Sequence, residues 1–275
     1  MLVTLKEVLK TAEEKGGAIP GFNIDNMETS EAVMEACEEE DWPVILTVGQ
    51  LAVKEGKMEA LSELVKRIGR ESRIPVVLHL DHAISYEQII QALRLGFTSV
   101  MYDGSGLPLE ENIKESLEVI RSARAVGVSV EGELGAIGGV EDGIVQGTSR
   151  LVDIEQVKTF ISSVSCDALA IGIGNAHGLY KGTPNLDFGR ITACRRLNAP
   201  PLVLHGGSGI PDEMLRTAIK LGIRKINVAT ELRCAFMEGM KEATVKGGGF
   251  YEAFAAGKKG TKELARRKIR IFKES

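Results

Sequence analysis

Four histidines, His79, His82, His177 and His205, are the residues in this chain of 275 with the widest chemical reach. Each falls where an apolar run marks the end of a strand. Neutral imidazole is the commonest protein ligand for zinc, and a catalytic zinc takes about three protein ligands and keeps one position open. In Val76-Val77-Leu78-His79-Leu80-Asp81-His82, alternation turns His79 and Asp81 to one side and ends the strand at His82. Any single histidine would serve equally well as a hydrogen-bonded structural residue. Three at three strand ends, His82, His177 and His205, are better read as one metal site, with His79 left to packing or to a place behind the ligands.

Carboxylates form a second group: Asp81 beside His82, Asp103 after strand four, Glu131 and Glu133 after strand five, and Glu141-Asp142 in the loop that follows. These acids are not spaced as a solvated helix face. A metal with two separated carboxylates suits chemistry that moves a proton from a hydroxyl and another at a carbanion carbon. A third group is glycine-rich: Gly172 to Gly178, then His205-Gly206-Gly207-Ser208-Gly209, then Asn227-Val228-Ala229-Thr230 opening a helix. Glycine lets backbone N–H groups approach an anion, and the loops after strands seven and eight are the usual phosphate site of an eightfold barrel.

The elements that must position these groups alternate. Eight apolar runs, 18–22, 44–48, 76–80, 99–101, 128–130, 168–173, 202–204 and 225–228, are separated by amphipathic stretches at 29–39, 59–68, 86–95, 111–125, 154–162, 187–197, 213–221 and 231–242. That alternation requires a parallel α/β fold. An open sheet gathers its polar residues at one switch point, whereas here they follow almost every strand. Eight strands whose carboxyl ends share one rim predict a single-domain (β/α)₈ TIM barrel over residues 1–275 with a C-terminal helical extension. Helix starts are expected at Thr29-Ser30 and Pro211-Asp212-Glu213, and stops at Gly96 and Gly222. Gly247–Gly249 and Gly257–Gly260 read as hinges before a final basic helix, Lys262–Phe272.

Composition narrows the partners. An apolar content of 44% supports one sizeable core, and a net charge of −4 without a long basic run argues against nucleic acid. No stretch approaches the ~20 apolar residues of a membrane span, and Met1 to Glu14 is unlike a signal peptide, so a cytoplasmic protein with no membrane partner is expected. Cys37, Cys166, Cys194 and Cys234 are scattered without a C-x-x-C pair and are expected as core thiols.

These motifs resemble the class II fructose- and tagatose-bisphosphate aldolases from about Gly21 to the final helix. The matching segments are Gly21-Phe22-Asn23-Ile24-Asp25-Asn26-Met27-Glu28, His79-Leu80-Asp81-His82, Glu131-Gly132-Glu133-Leu134-Gly135 with Gly138-Gly139, the Gly-Asn-Ala-His-Gly run ending at Gly178, His205 to Gly209, and Asn227 to Thr230. The resemblance implies that His82, His177 and His205 bind a catalytic Zn2+, that Asp81 is the acid/base at the C4 hydroxyl, and that Glu141 exchanges the C3 proton of dihydroxyacetone phosphate. It implies an accessory metal position at Asp103 and Glu133. It places the ketone phosphate at Gly178, Gly206, Ser208, Asn227 and Thr230, assisted by Na+ or K+, with Asn23, Gly207, Val228 and Ala229 of the same motifs at the substrate. Homodimers or homotetramers are usual in such families.

Four departures lie on or near the aldehyde side: Ala229 where fructose-type enzymes carry aspartate, Gly49 for a phosphate-binding serine, Lys258 for a late arginine, and Gly106 for the histidine of Asp-Gly-Ser-His. The Asn-Val-Ala-Thr-Glu-Leu wording is similar to the tagatose type. The expected activity is reversible, metal-dependent cleavage of a ketose 1,6-bisphosphate into dihydroxyacetone phosphate and glyceraldehyde 3-phosphate. The alternative is a related aldolase that uses a different or unphosphorylated aldehyde. Metal-dependent hydrolysis would not need the phosphate loops, and a binding protein would not need the ligands and acids. A Schiff-base aldolase needs a strand-end lysine, and Lys225 stands at the opposite end of its strand.

Overall fold

The computed structural model describes residues 1–141, 144–146 and 149–274, with side chains described outside 140–148. The chain opens with α1 (Leu5–Lys15), β1 (Ile19–Asn23), α2 (Met27–Glu39) and β2 (Val44–Val48). It continues through α3 (Gln50–Lys54), α4 (Met58–Glu71), β3 (Val76–Ala83), α5 (Tyr86–Arg94), β4 (Ser99–Tyr102), α6 (Leu109–Ala125) and β5 (Ser129–Leu134). Then come β6 (Gly138–Glu141), β7 (Ile144–Gln146), α7 (Ile154–Ser163), β8 (Ala168–Ile171), β9 (Ala176–His177) and α8 (Phe188–Arg196). The last part is β10 (Leu202–Leu204), α9 (Asp212–Leu221), β11 (Ile223–Val228), α10 (Thr230–Val245) and α11 (Phe250–Lys273).

Eight parallel strands close in the order β1-β11-β10-β8-β5-β4-β3-β2, which is the expected barrel. β2, for example, is buried at every position, as strands covered on both faces must be. The Asn26 side chain accepts from Thr29 N–H at 2.8 Å while Thr29 Oγ1 accepts from Asn26 N–H, a reciprocal cap that starts α2 two residues earlier than expected. Pro211 precedes α9 with Asp212 and Glu213 in its first turn, and Gly96 and Gly222 follow α5 and α9 with positive φ, all as expected. α1 buries Leu5, Val8, Leu9 and Ala12 and touches β1, β3, β5 and β11 together, which is achievable only across the amino end of the barrel. Among the described residues no helix is long and apolar enough to cross a membrane.

Four expectations need correction. The helix after the eighth barrel strand does not form the barrel wall: α10 packs on α11, and α11 packs on α2, α9 and β1, filling the place between α9 and α2. Gly257 and Gly260 are not hinges but lie inside α11, which is about 36 Å long at 1.5 Å per residue. A Cβ at Gly260 would stand 2.7 Å from Ala235 O, so the bare glycine lets the two helices approach. Cys37, Cys166 and Cys194 are buried as expected, but Cys234, on α10, is exposed. Lastly, β3 does not end at His82 but runs to Ala83, so His79, Asp81 and His82 are all within it.

Candidate metal centre and active site

Strand alternation would send Asp81 and His82 to opposite faces, yet both reach one site: Asn227 Nδ2 bonds Asp81 and approaches His205, whose ring lies 4.5 Å from that of His82. The backbone resolves this at His82, whose φ of 48° is left-handed, and the β3/β4 register shifts between Leu80 and Ala83. Such a bulge re-aims side chains and is a recurring device beside active sites. His177 arrives on β9, whose register partner is Gly139 of β6. A Cβ at Gly139 would lie 2.3 Å from His177 O. His205 follows β10, and the next residue, Gly206, has φ 64° with Ala176 O where a Cβ would be.

These three routes bring the imidazoles together. The ring of His82 lies 4.9 Å from that of His177 and 4.5 Å from that of His205, and the latter two are 6.0 Å apart. One ring nitrogen from each falls within 4.8 Å of the others. His82, Asp103 and Glu133 form a second such group sharing His82. His82 Nδ1 meets Asp103 Oδ2 at 3.1 Å and His205 Nε2 meets Glu131 Oε1 at 2.8 Å. An ionised carboxylate only accepts, so each contact places the ring proton there and the lone pair on the other nitrogen, Nε2 of His82 and Nδ1 of His205.

The electrostatics also ask for a cation. Asp81, Asp103, Glu131 and Glu133 surround the rings, while Lys225 is the lysine bonded to this cluster. Burial opposes charge on His82, but Asp81, Asp103 and Glu133 outweigh it and lift this imidazole well above its ordinary range. Burial and then His82 push His205 down to about 4. Asp81 is held well below the usual carboxylate range against burial by His82, His79, His205 and Lys225, and Asn227 Nδ2 donates to its two oxygens at 3.2 and 3.1 Å. Burial and Asp103 raise Glu133. Three imidazoles, two of them oriented by a carboxylate on the far ring nitrogen, among buried acids suit a divalent ion.

Behind the rings lies a network that the sequence reading missed. Lys225 is fully buried, its Nζ 2.6 Å from Glu131 Oε2 and 3.2 Å from His79 Nε2, while His79 Nδ1 meets Ser99 Oγ at 2.8 Å. Lys225 and His205 hold Glu131 at about 2 despite its burial. The available signal was a lysine and a glutamate at inward positions of otherwise apolar strands, since buried charges come in pairs. His79 is therefore a supporting residue, as expected.

The glycine loops converge on the start of α10. Gly207 N–H donates to Asn227 O at 2.9 Å, and Ser208 Oγ accepts from Ala229 N–H and Glu231 N–H at 3.3 Å each. Gly178 follows His177 with φ 88°, Val228 ends β11, and Thr230 is the first residue of α10. Asn23 is 2% exposed with both amide atoms lacking a hydrogen-bond partner, and Thr47, its register partner on β2, lies in register with His79. Lys258 sits on α11 with its Nζ 2.7 Å from Glu31 Oε2 and 2.8 Å from Glu35 Oε1, so carboxylates of α2 occupy it. Glu141 ends β6, and its side chain, with Asp142, lies outside the described residues.

The family model for class-II fructose-bisphosphate aldolase matches residues 3–275. The chain belongs to the class II aldolase family. A fructose-bisphosphate aldolase of Thermus caldophilus is 37% identical, covering 99% of this chain and 98% of the relative. A 6-phospho-5-dehydro-2-deoxy-D-gluconate aldolase of Bacillus velezensis is 40% identical over 98% and 95%. The crystal structure of the YdjI aldolase from Escherichia coli K12 superposes with a TM-score of 0.89 at 34% identity, covering 99% of this chain and 97% of that one. This class II aldolase thus carries its three imidazoles and Asp81 in one buried cluster at the carboxyl ends of the strands of a closed barrel, and it is a carbon–carbon lyase.

Proposed function

We propose that this class II aldolase catalyses reversible, zinc-dependent cleavage of a ketose 1,6-bisphosphate, of the tagatose or fructose type, into dihydroxyacetone phosphate and glyceraldehyde 3-phosphate. The observation that carries this reading is the meeting of His82, His177 and His205 in one buried cluster, with Asp81 joined to it through Asn227. A zinc ion on the three imidazoles would supply a Lewis acid for the ketone carbonyl. Asp81, held ionised and oriented by Asn227, accepts the C4 hydroxyl proton in cleavage and returns it in synthesis. Glu141 handles the C3 proton. Asp103 and Glu133 offer an accessory metal position next to His82.

Gly178, Gly206, Gly207, Ser208, Asn227, Val228, Ala229 and Thr230 hold the ketone phosphate at the amino end of α10, where backbone N–H groups and the helix dipole favour an anion, with Na+ or K+ as counter-ion. The amide of Asn23 takes a substrate oxygen. The protein works in the cytoplasm, and it does so as a homodimer or homotetramer, an assembly supported by Met237, Val245, Phe250 and Tyr251, all exposed on α10 and α11.

A second reading replaces the aldehyde with a different or unphosphorylated one. It is favoured by the engagement of Lys258 with Glu31 and Glu35 and by Gly49 after β2, and by a relative named for a phosphorylated deoxygluconate. One experiment tests both: purified protein, zinc and dihydroxyacetone phosphate are incubated with glyceraldehyde 3-phosphate or with unphosphorylated aldehydes, and the ketose formed is identified. Product with the phosphorylated aldehyde, lost on chelation and regained with zinc, is expected. Product with unphosphorylated aldehydes alone would select the second reading, and activity that survives chelation would refute the metal role.

A further inference from the structure

The bulge that turns Asp81 and His82 into one pocket needs a restraint, because a non-glycine residue at φ 48° is in a sparsely populated region that persists only when its surroundings over-determine it. Gln50 Nε2, from the first residue of α3, donates to Asp81 O at 3.0 Å. Gln88 Nε2, on α5, donates to Gln50 Oε1 at 3.1 Å, and Gln88 Oε1 accepts from Ile84 N–H at 3.0 Å. The Asp81 carbonyl lies in the same peptide plane as the His82 nitrogen, and the Ile84 N–H lies in the plane that joins residues 83 and 84. Between these two pinned planes lie the torsions of His82 and Ala83. A third bond, from Asp103 N–H to Ala83 O at 2.9 Å, ties the same stretch to β4.

We infer that Gln50 and Gln88 are positioning residues, a two-amide relay from α3 to α5 that holds the His82 bulge and so keeps the proton-transfer carboxylate and the metal ligand in register. Neither side chain belongs to the ligands, the acids or the phosphate loops. The inference rests on the roles proposed above for Asp81 and His82. Each amide is engaged at both atoms: Gln50 donates to Asp81 O and accepts from Gln88, and Gln88 donates to Gln50 and accepts from Ile84 N–H. A methionine at either position keeps the length and removes both bonds.

The test compares Gln50→Met, Gln88→Met and the double variant with the wild-type enzyme. Zinc affinity is read by competition with a chromogenic chelator, and kcat and the KM for dihydroxyacetone phosphate are read in condensation with a saturating aldehyde that the assay above shows to be accepted. Misplacement of a reacting group by about an ångström costs up to ~10²-fold, so Gln50→Met is expected to lose about tenfold or more in kcat while KM stays within about twofold, since the phosphate loops are untouched. Zinc affinity should fall about tenfold. Because the two amides form one relay, the double variant should lose clearly less than the product of the two single losses, whereas independent residues would multiply them. Should Gln88→Met not fold, Gln88→Glu replaces it, since it keeps an acceptor for Ile84 N–H and loses the donor to Gln50. Unchanged kcat and zinc affinity in Gln50→Met, or losses that multiply in the double variant, would overturn the inference. The zinc readout needs no turnover, so it tests the relay even if the proposed reaction proves wrong.

Discussion

Replacing Glu131 with leucine should separate what holds the barrel interior from what prepares the metal site. Glu131 is fully buried and bonds Lys225 through one oxygen and His205 through the other. Removing it leaves the Lys225 ammonium buried with His79 Nε2 at 3.2 Å as its remaining polar contact among the described residues. Breaking one side of a buried ion pair costs about 3–5 kcal/mol. At roughly 2–4 °C per kcal/mol for a chain of this order of size, Tm should drop by about 6–20 °C, with the lower figure applying where Lys225 sheds its proton. His205 also loses the acceptor that keeps its proton on Nε2, so zinc affinity should fall about 10–100-fold. The assays are thermal unfolding of the metal-free protein and zinc competition. The decisive comparison is Glu131→Leu/Lys225→Met, because replacing a whole buried pair by apolar groups is often neutral for stability. Tm should then recover largely while zinc binding stays weak. If zinc binding recovers together with Tm, Glu131 does not set the tautomer of His205 and the reasoning fails.

Three smaller outcomes follow from the same structure. Burial raises the Cys37 thiol, pushes Cys194 up to about 11 and Cys166 to about 12, and leaves Cys234 as the exposed thiol; a disulfide reagent should therefore titrate one thiol rapidly in the folded protein and four in denaturant. Lys258 and Lys262 hold Glu35 below its ordinary carboxylate value against burial. A depressed folded value means stability that is present above the unfolded value, near 4.3, and is lost as pH falls through the folded one, so the Tm gap between wild type and Glu35→Gln should close on acidification below about pH 4. Gly260→Val should cost about 1–3 kcal/mol by forcing α10 and α11 apart, checked by denaturant unfolding against Gly182→Ser, where a Cβ meets nothing within 4 Å.

Much of the barrel was legible because its signals are local. The runs at 44–48 and 202–204 match β2 and β10 residue for residue, since strands buried on both faces are continuous in apolar residues and bounded by turns. The wall helix was misassigned for a reason of the same kind. α10 has an ordinary helical pattern, and nothing within it records that its partner is α11; only Leu232 and Phe236 are buried in its whole length. Glycines in α11 read as breakers because the helix that needs their missing side chains lies across a turn, beyond any local window. The pair β6-β7 was missed because its sequence is rich in glycine, and the two-residue β9 because its pairing with β6 is non-local.

The site divides along the same line. His82, His177, His205 and Asp81 could be picked out from residue type and rim placement, since chemistry is restricted to few side chains. What makes them act together could not. Strict alternation predicts that Asp81 faces inward with His79 and that the strand stops at His82; the bulge instead keeps the strand going and turns both residues in. No motif announces that geometry, because its cause is distributed over Gln50, Gln88 and Asp103, each contributed by a different element. Lys225 shows the same limit from the other direction. Its place near the start of β11 argued against a role in the chemistry, yet barrel strands are tilted, and the inward layer that it shares with Glu131 and His79 lies directly beneath the imidazoles. Residue identity thus locates the groups that react, while the groups that orient them become visible only once the strands are closed into a ring.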